Sequence, residues 1–145
     1  MHLTHFTDYS LRVLISLGMQ PERLATVAAI AQQYDISRHH LTRVVHKLGQ
    51  KGYVETVRGK GGGLRLARPP EQIRIGDVVR DMETDFELAE CFHVGESNCL
   101  LMPGCALKPV LAEAGRAFFS SLDAYTLADL LPPSARTLSA MPGRR

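Results

Sequence analysis

Apolar residues recur along this chain with two different periods, and the switch between them marks where its elements end. Leu11, Leu14, Ile15 and Leu17 keep the three- and four-residue spacing of an amphipathic helix. Thr7 is placed to cap that helix, Asp8 falls in its first turn, and Gly18 and Pro21 end it. A second, short helix starts at Thr26 and runs through Val27, Ala28, Ile30, Ala31 and Tyr34, and Asp35-Ile36-Ser37 then makes a tight connection. Ser37 caps a third helix, to Gly49, in which Leu41, Val44, Val45 and Leu48 line one side. Arg38, His39, Thr42, Arg43, His46 and Lys47 populate the rest of its surface. Two short helices joined by a short turn, the second beginning with small polar and basic residues, predict a helix-turn-helix.

After Gly52 the period drops to two. Residues 53–58 and Leu64-Arg65-Leu66 alternate around Gly59-Lys60-Gly61-Gly62-Gly63, the pattern of a hairpin with a glycine-rich tip. A hairpin directly behind a recognition helix is a wing. A nucleotide-binding phosphate loop would need Gly-x-x-x-x-Gly-Lys-Ser/Thr between strand and helix, and neither that order nor that context is present. Pro69-Pro70 closes the unit. Ile73, Ile75, Val78, Val79 and Met82 predict a short strand entering a helix that ends near Thr84. Lys108 and Pro109 open a long helix to about Tyr125, apolar on more than one side through Val110, Leu111, Ala114, Ala117, Phe118, Phe119 and Leu122. A chain this small has little surface left to cover such a helix, so it is expected to pack on its twin in a homodimer. Thr126 to Leu131 adds a last turn or two.

The expected fold is therefore mainly α with a small β-wing: a winged helix-turn-helix followed by a long C-terminal dimerisation helix. Residues 1–80 form the winged helix-turn-helix, 81–106 a cysteine-bearing loop region, 107–131 the dimerisation and terminal helices, and 132–145 a flexible tail. The chain's 145 residues, 45% hydrophobic and 22% charged, suit one globular unit with its own core. No apolar stretch reaches the ~18 residues of a membrane span, and the first residues lack the pattern of a signal peptide, so the expectation is a soluble, cytoplasmic protein with no membrane partner.

Net charge is only +2, but its distribution is uneven. Residues 1–80 hold twelve Lys/Arg against six Asp/Glu, and residues 81–145 hold five against nine. Between 38 and 68 eight basic residues face Glu55 alone, the footprint of a polyanion-binding surface. The candidate contacts to double-stranded DNA are Ser37, Arg38, His39, His40, Thr42 and Arg43 on the recognition helix. On the wing they are Arg58, Lys60, Gly61 and Gly62, with Arg65 nearby. No nucleophile and base are paired in a way that marks an enzyme.

Cys91, Cys99 and Cys105 are separated by seven and five residues. Structural zinc sites bring their ligands in close pairs such as Cys-x-x-Cys, and no such pair exists here. Wide, uneven spacing suits an iron–sulfur cluster, whose irons need thiolates on several sides. A cluster would then lack one thiolate, and Asp8, His93, Glu90, His5 and His2 are the candidates for the remaining ligand. The alternative is a regulator that works through free thiols or another metal, without a cluster.

The segments LTHFTDYSLRVL, SRHHLTRVVHKLGQKGYVETVRGKGGGLRL, IRIGDVVRDME and LDAYTLADLL, with the cysteine loop, resemble the iron–sulfur winged-helix repressors, in particular their nitric-oxide-responsive branch. The match runs from Met1 to about Leu131. This resemblance implies a homodimeric repressor of palindromic operator DNA, with nitric oxide as its signal. It also implies a 4Fe-4S or 2Fe-2S cluster held by Cys91, Cys99 and Cys105, with Asp8 reaching across from the partner subunit. Relatives of the IscR type carry a histidine three residues after the last cysteine; Lys108 stands there in this chain.

Overall fold

The computed structural model describes residues 2–92, 98–102 and 104–133. His93, Gly95, Pro103 and the tail from 134 onward lie outside the described residues. The first helix, α1 (His5–Met19), starts earlier than its pattern predicts. Thr4, not Thr7, is its cap: the Thr4 hydroxyl accepts the Thr7 amide at 3.4 Å. Thr7 is instead fully buried in the first turn. The Thr4 amide donates to Glu83 at 2.6 Å, which ties the start of α1 to the end of the fourth helix. Gly18 does not end α1 but lies inside it, because Leu131 packs where its side chain would be; a Cβ there would sit 2.8 Å from Leu131 Cδ1.

The second helix, α2 (Val27–Tyr34), is capped by Thr26, whose hydroxyl accepts the Ala29 amide at 3.1 Å. It stops at Asp35, a left-handed residue with φ 52°, a conformation a short polar side chain tolerates. Ser37 then caps α3 (Arg38–Gln50). Val13, Leu14, Ile30, Leu41, Val44 and Leu48 from these helices are buried to 1% exposure or less and form the centre of the core.

The wing is an antiparallel pair, β1 (Val54–Val57) and β2 (Gly63–Leu66), in register Val54 to Leu66 and Val57 to Gly63. Gly63 belongs to β2 and not to the tip. Gly59 and Gly61 turn the chain with φ of 102° and 77°, and a Cβ on Gly62 would collide with the Val57 carbonyl. Ala25, between α1 and α2, exchanges two backbone hydrogen bonds with Leu64 and so joins the wing to the helices.

The strand expected around Ile73–Ile75 is reduced to a bridge between Arg74 and Thr126. It pairs with the C-terminal segment, through Ile75 N–H to Tyr125 O and Leu127 N–H to Ile73 O. The fourth helix, α4 (Ile75–Met82), follows directly, then a long helix α5 (Leu107–Asp123) and a short α6 (Leu127–Leu130) capped by Thr126 with Asp129. Arg80 joins α4 to α5 by two hydrogen bonds to Asp123, both 2.7 Å, with its guanidinium 4.4 Å from the Phe119 ring centroid.

A second clamp joins the wing to α4. Lys51 Nζ and the Tyr53 hydroxyl both donate to Asp81, at 2.6 and 2.7 Å, while Arg68 lies 4.4 Å over the Tyr53 ring. Burial pushes the Asp81 carboxyl up, but the hydrogen bonds from Lys51 and Tyr53 outweigh it and hold the group below its ordinary value. Burial, then the bond to Asp81, pushes the Tyr53 phenol up. Because Asp81 is depressed in the folded chain, its contribution is present above the ordinary carboxylate pKa of about 4 and is lost as pH falls through the depressed value. Asp81→Asn should therefore flatten the acid side of a melting-temperature-against-pH curve, and an unchanged slope below about pH 4 would refute this role for the clamp.

Candidate functional site

The first turn of α3 presents its side chains in two directions. Ser37 Oγ accepts the His40 amide at 3.5 Å, so the turn is fixed from its first residue. Arg38, His39, Thr42 and Arg43 are exposed, but the Thr42 hydroxyl donates to the Arg38 carbonyl at 2.8 Å and is engaged by its own helix. His40 points the other way. It is half-buried, with its ring 5.2 Å from Tyr9 and 6.4 Å from Phe6 on α1.

On the wing, Arg58, Lys60 and Gly61 are exposed and Gly62 is partly covered. The basic block is less uniform than its count implies. Lys51 is paired with Asp81, and Arg65 with Glu55, its cross-strand neighbour. Among the described residues the ion pairs engage Arg12, Lys51, Arg65 and Arg80, which leaves Arg38, Arg43, Arg58 and Lys60 uncompensated. Unpaired guanidinium and ammonium groups on a capped helix start and a glycine-rich tip can bind phosphate oxygens without breaking an internal contact.

None of the three cysteines is in a disulfide, and all three are half-buried. Cys91 lies in a single 3-10 turn, Glu90–Phe92, the Cys99 carbonyl accepts the Met102 amide at 3.1 Å, and Cys105 lies two residues before α5. Lys108 Nζ sits 5.7 Å from the ring centroid of Phe92, beside Cys91. In kind, three thiols outside any disulfide and a carboxylate fit an iron–sulfur cluster. Among the described residues, however, no three His, Cys, Asp or Glu side chains are gathered as a metal cage.

Of the other ligand candidates, Asp8 is in the first turn of α1 and pairs with Arg12 at 2.9 Å. That pair is an i, i+4 contact the sequence spacing could have signalled. The Arg12 guanidinium, which the hydrogen bond to Asp8 pushes further up, lies 5.8 Å from the Tyr34 ring. His5 stacks on Tyr9 at 5.7 Å, and Glu90 shares the turn with Cys91. His2 lines a cavity of about 720 Å³ between residues 83–88 and α5, walled by Leu3, Phe86, Leu111 and Phe118. No residue of α5 is buried, and Leu107 and Val110 are more than half exposed.

A capped recognition helix, a paired wing and uncompensated basic groups on both define a winged-helix transcription regulator. The chain belongs to the Rrf2 family: the family model described as an iron-dependent transcriptional regulator matches residues 3–133. It is 52% identical over 132 residues to the HTH-type transcriptional regulator NsrR of Bacillus subtilis, covering 90% of each chain. Among solved structures it resembles CymR, the global cysteine regulator of B. subtilis, with TM-score 0.73 and 27% identity over 90% of this chain and 95% of that one. It also resembles T. potens IscR, with TM-score 0.71 and 25% identity over 99% and 94%. Its named relatives are transcriptional regulators, and the protein is one too, not an enzyme. Among the described residues no helix is long and apolar enough to cross a membrane.

Proposed function

We propose that this protein is a homodimeric, cytoplasmic repressor that holds palindromic operator DNA through α3 and the wing and lets go when nitric oxide reacts with an iron–sulfur cluster. The observation that carries the DNA half is the set of exposed cations outside every ion pair, Arg38 and Arg43 on α3 with Arg58 and Lys60 on the wing, gathered on the recognition helix and the glycine-rich tip. Two recognition helices about 34 Å apart would meet successive major grooves of one duplex face. The apolar surface that α5 leaves open, with no residue fully buried and Leu107 and Val110 more than half exposed, supports pairing with a second copy, since such surface gains stability only by being covered.

Cys91, Cys99 and Cys105 are the residues that would hold the cluster, 4Fe-4S or 2Fe-2S, with Asp8 of the partner subunit as remaining ligand. When bound, the cluster supplies iron that nitric oxide attacks. The chain's own part is to supply soft thiolate donors from a half-buried loop and a carboxylate from α1. It also keeps Arg12 within 2.9 Å as an alternative partner for that carboxylate. A change of partner at Asp8 alters the start of α1, which is tied through Glu83 to α4 and through Phe6 and Tyr9 to α3. A few kcal/mol of difference between the two arrangements moves a population from mostly bound to mostly released.

Anaerobic purification followed by iron and sulfide counts tests the cluster half, and the expected result is a coloured chain carrying both elements. A colourless, iron-free chain that still binds its operator tightly would favour a cluster-free thiol regulator. That second reading is favoured by the likeness to CymR, the global cysteine regulator. For the DNA half, Arg43→Ala or Lys60→Ala should weaken binding to every duplex sequence alike. Each should also lower the slope of log affinity against log salt by about one. An unchanged slope takes that residue off the phosphate contacts.

A further inference from the structure

We propose that Tyr9 and His40 form the link by which the first turn of α1 sets the pose of the recognition helix, making His40 a positioning residue and not a base-reading one. This rests on the reading above, in which Asp8 changes partner between the bound and released forms. The rings meet edge-to-face, 5.2 Å apart at 75°, and Tyr9 is stacked in turn on His5 at 5.7 Å and 29°. Phe6, on the same turn of α1, lies 6.4 Å from the His40 ring. Tyr9 directly follows Asp8, and His40 carries the amide that Ser37 caps, so the contact joins the candidate ligand's turn to the first turn of α3.

The placement of the remaining contacts makes this link the natural route. Val13, Leu14 and Leu17 are 0 to 3% exposed in the core, which holds the later turns of α1 in place. A rearrangement at Asp8 is therefore expressed in the first turn of α1. Of the α3 residues in its first two turns, His40 is the one whose ring meets that turn, while Arg38, His39 and Arg43 project to solvent. An edge-to-face ring contact is directional, so rotation of Tyr9 is felt by His40 as a change of seat and not only as looser packing.

The test uses the full chain prepared anaerobically with iron, and measures affinity for a palindromic duplex before and after the iron is chelated. Couplings between two sites usually run from about 5- to 150-fold; Tyr9→Leu should reduce the wild-type ratio to about threefold or less, with iron per chain unchanged, and Tyr9→Phe should preserve it. Independently of DNA, backbone amide exchange at His40 and Leu41 should differ between loaded and stripped wild-type chains and become equal in Tyr9→Leu. If Tyr9→Leu fails to fold, His40→Leu read by amide exchange at Leu41 replaces it, with the same expectation. A Tyr9→Leu chain that keeps the full affinity ratio overturns the link while leaving the function above intact. A wild-type chain whose affinity ignores iron removal overturns both.

Discussion

Serine in place of Cys99 is expected to give a chain that folds, carries little or no iron and no longer distinguishes nitric oxide from its absence. The thiolate is the cluster ligand, and a serine hydroxyl neither ionises near neutral pH nor matches the softness of sulfur. The loop itself should survive, because the turn at Cys99 is held by its backbone carbonyl accepting the Met102 amide, which serine preserves. The expected loss is the whole response, on the order of 10- to 100-fold in operator affinity, set against iron per chain measured on the same preparation. Cys91→Ser and Cys105→Ser should behave alike. Iron retained at the wild-type level with the response intact would take Cys99 out of the ligand set.

The largest effect on stability is expected from Leu41→Ala, at a cost of about 2–5 kcal/mol. Leu41 is fully buried and faces the core from the first turns of α3, so its loss opens a cavity beneath the surface that carries Arg38, Thr42 and Arg43. Domains of this size have only about 5–15 kcal/mol in total, so a denaturant midpoint should fall steeply. Operator binding should fall with it, in contrast to Arg43→Ala, which is expected to leave the midpoint nearly unchanged. A loss below about 1 kcal/mol on Leu41→Ala would mean that α3 is not seated as described.

The winged-helix fold is written plainly between residues 26 and 66, because there each element carries its own boundary signal. Thr26 and Ser37 are the caps their positions imply, the three-residue connection falls where Asp35 turns left-handed, and the wing pairs around the glycines. The start of α1 was less legible. Thr4 and Thr7 are equally good caps in isolation, and the choice is made by Glu83, 79 residues away, which takes the Thr4 amide. Gly18 reads as a helix end, yet its place inside α1 is dictated by Leu131 from the far end of the chain.

The candidate site divides the same way. Helical spacing puts Arg38, His39 and Arg43 on the polar side of α3, and they are exposed; His40 sits at the border of that side and is claimed by the rings of α1. Counting charges overstates the free basic surface, since Lys51 and Arg65 find partners only once the wing register and α4 are in place. The spacing of the three cysteines speaks to their chemistry, whereas bringing them together depends on tertiary contacts that no local pattern encodes.

The most direct measurement is a titration of the anaerobically prepared, iron-loaded chain onto a palindromic duplex selected from a random pool, before and after nitric oxide is added. The account predicts tight binding by two chains per duplex, well above binding to unselected sequence, and a fall in affinity of about tenfold or more once nitric oxide is present. Equal affinity with and without nitric oxide, or no preference for the selected duplex, would contradict it.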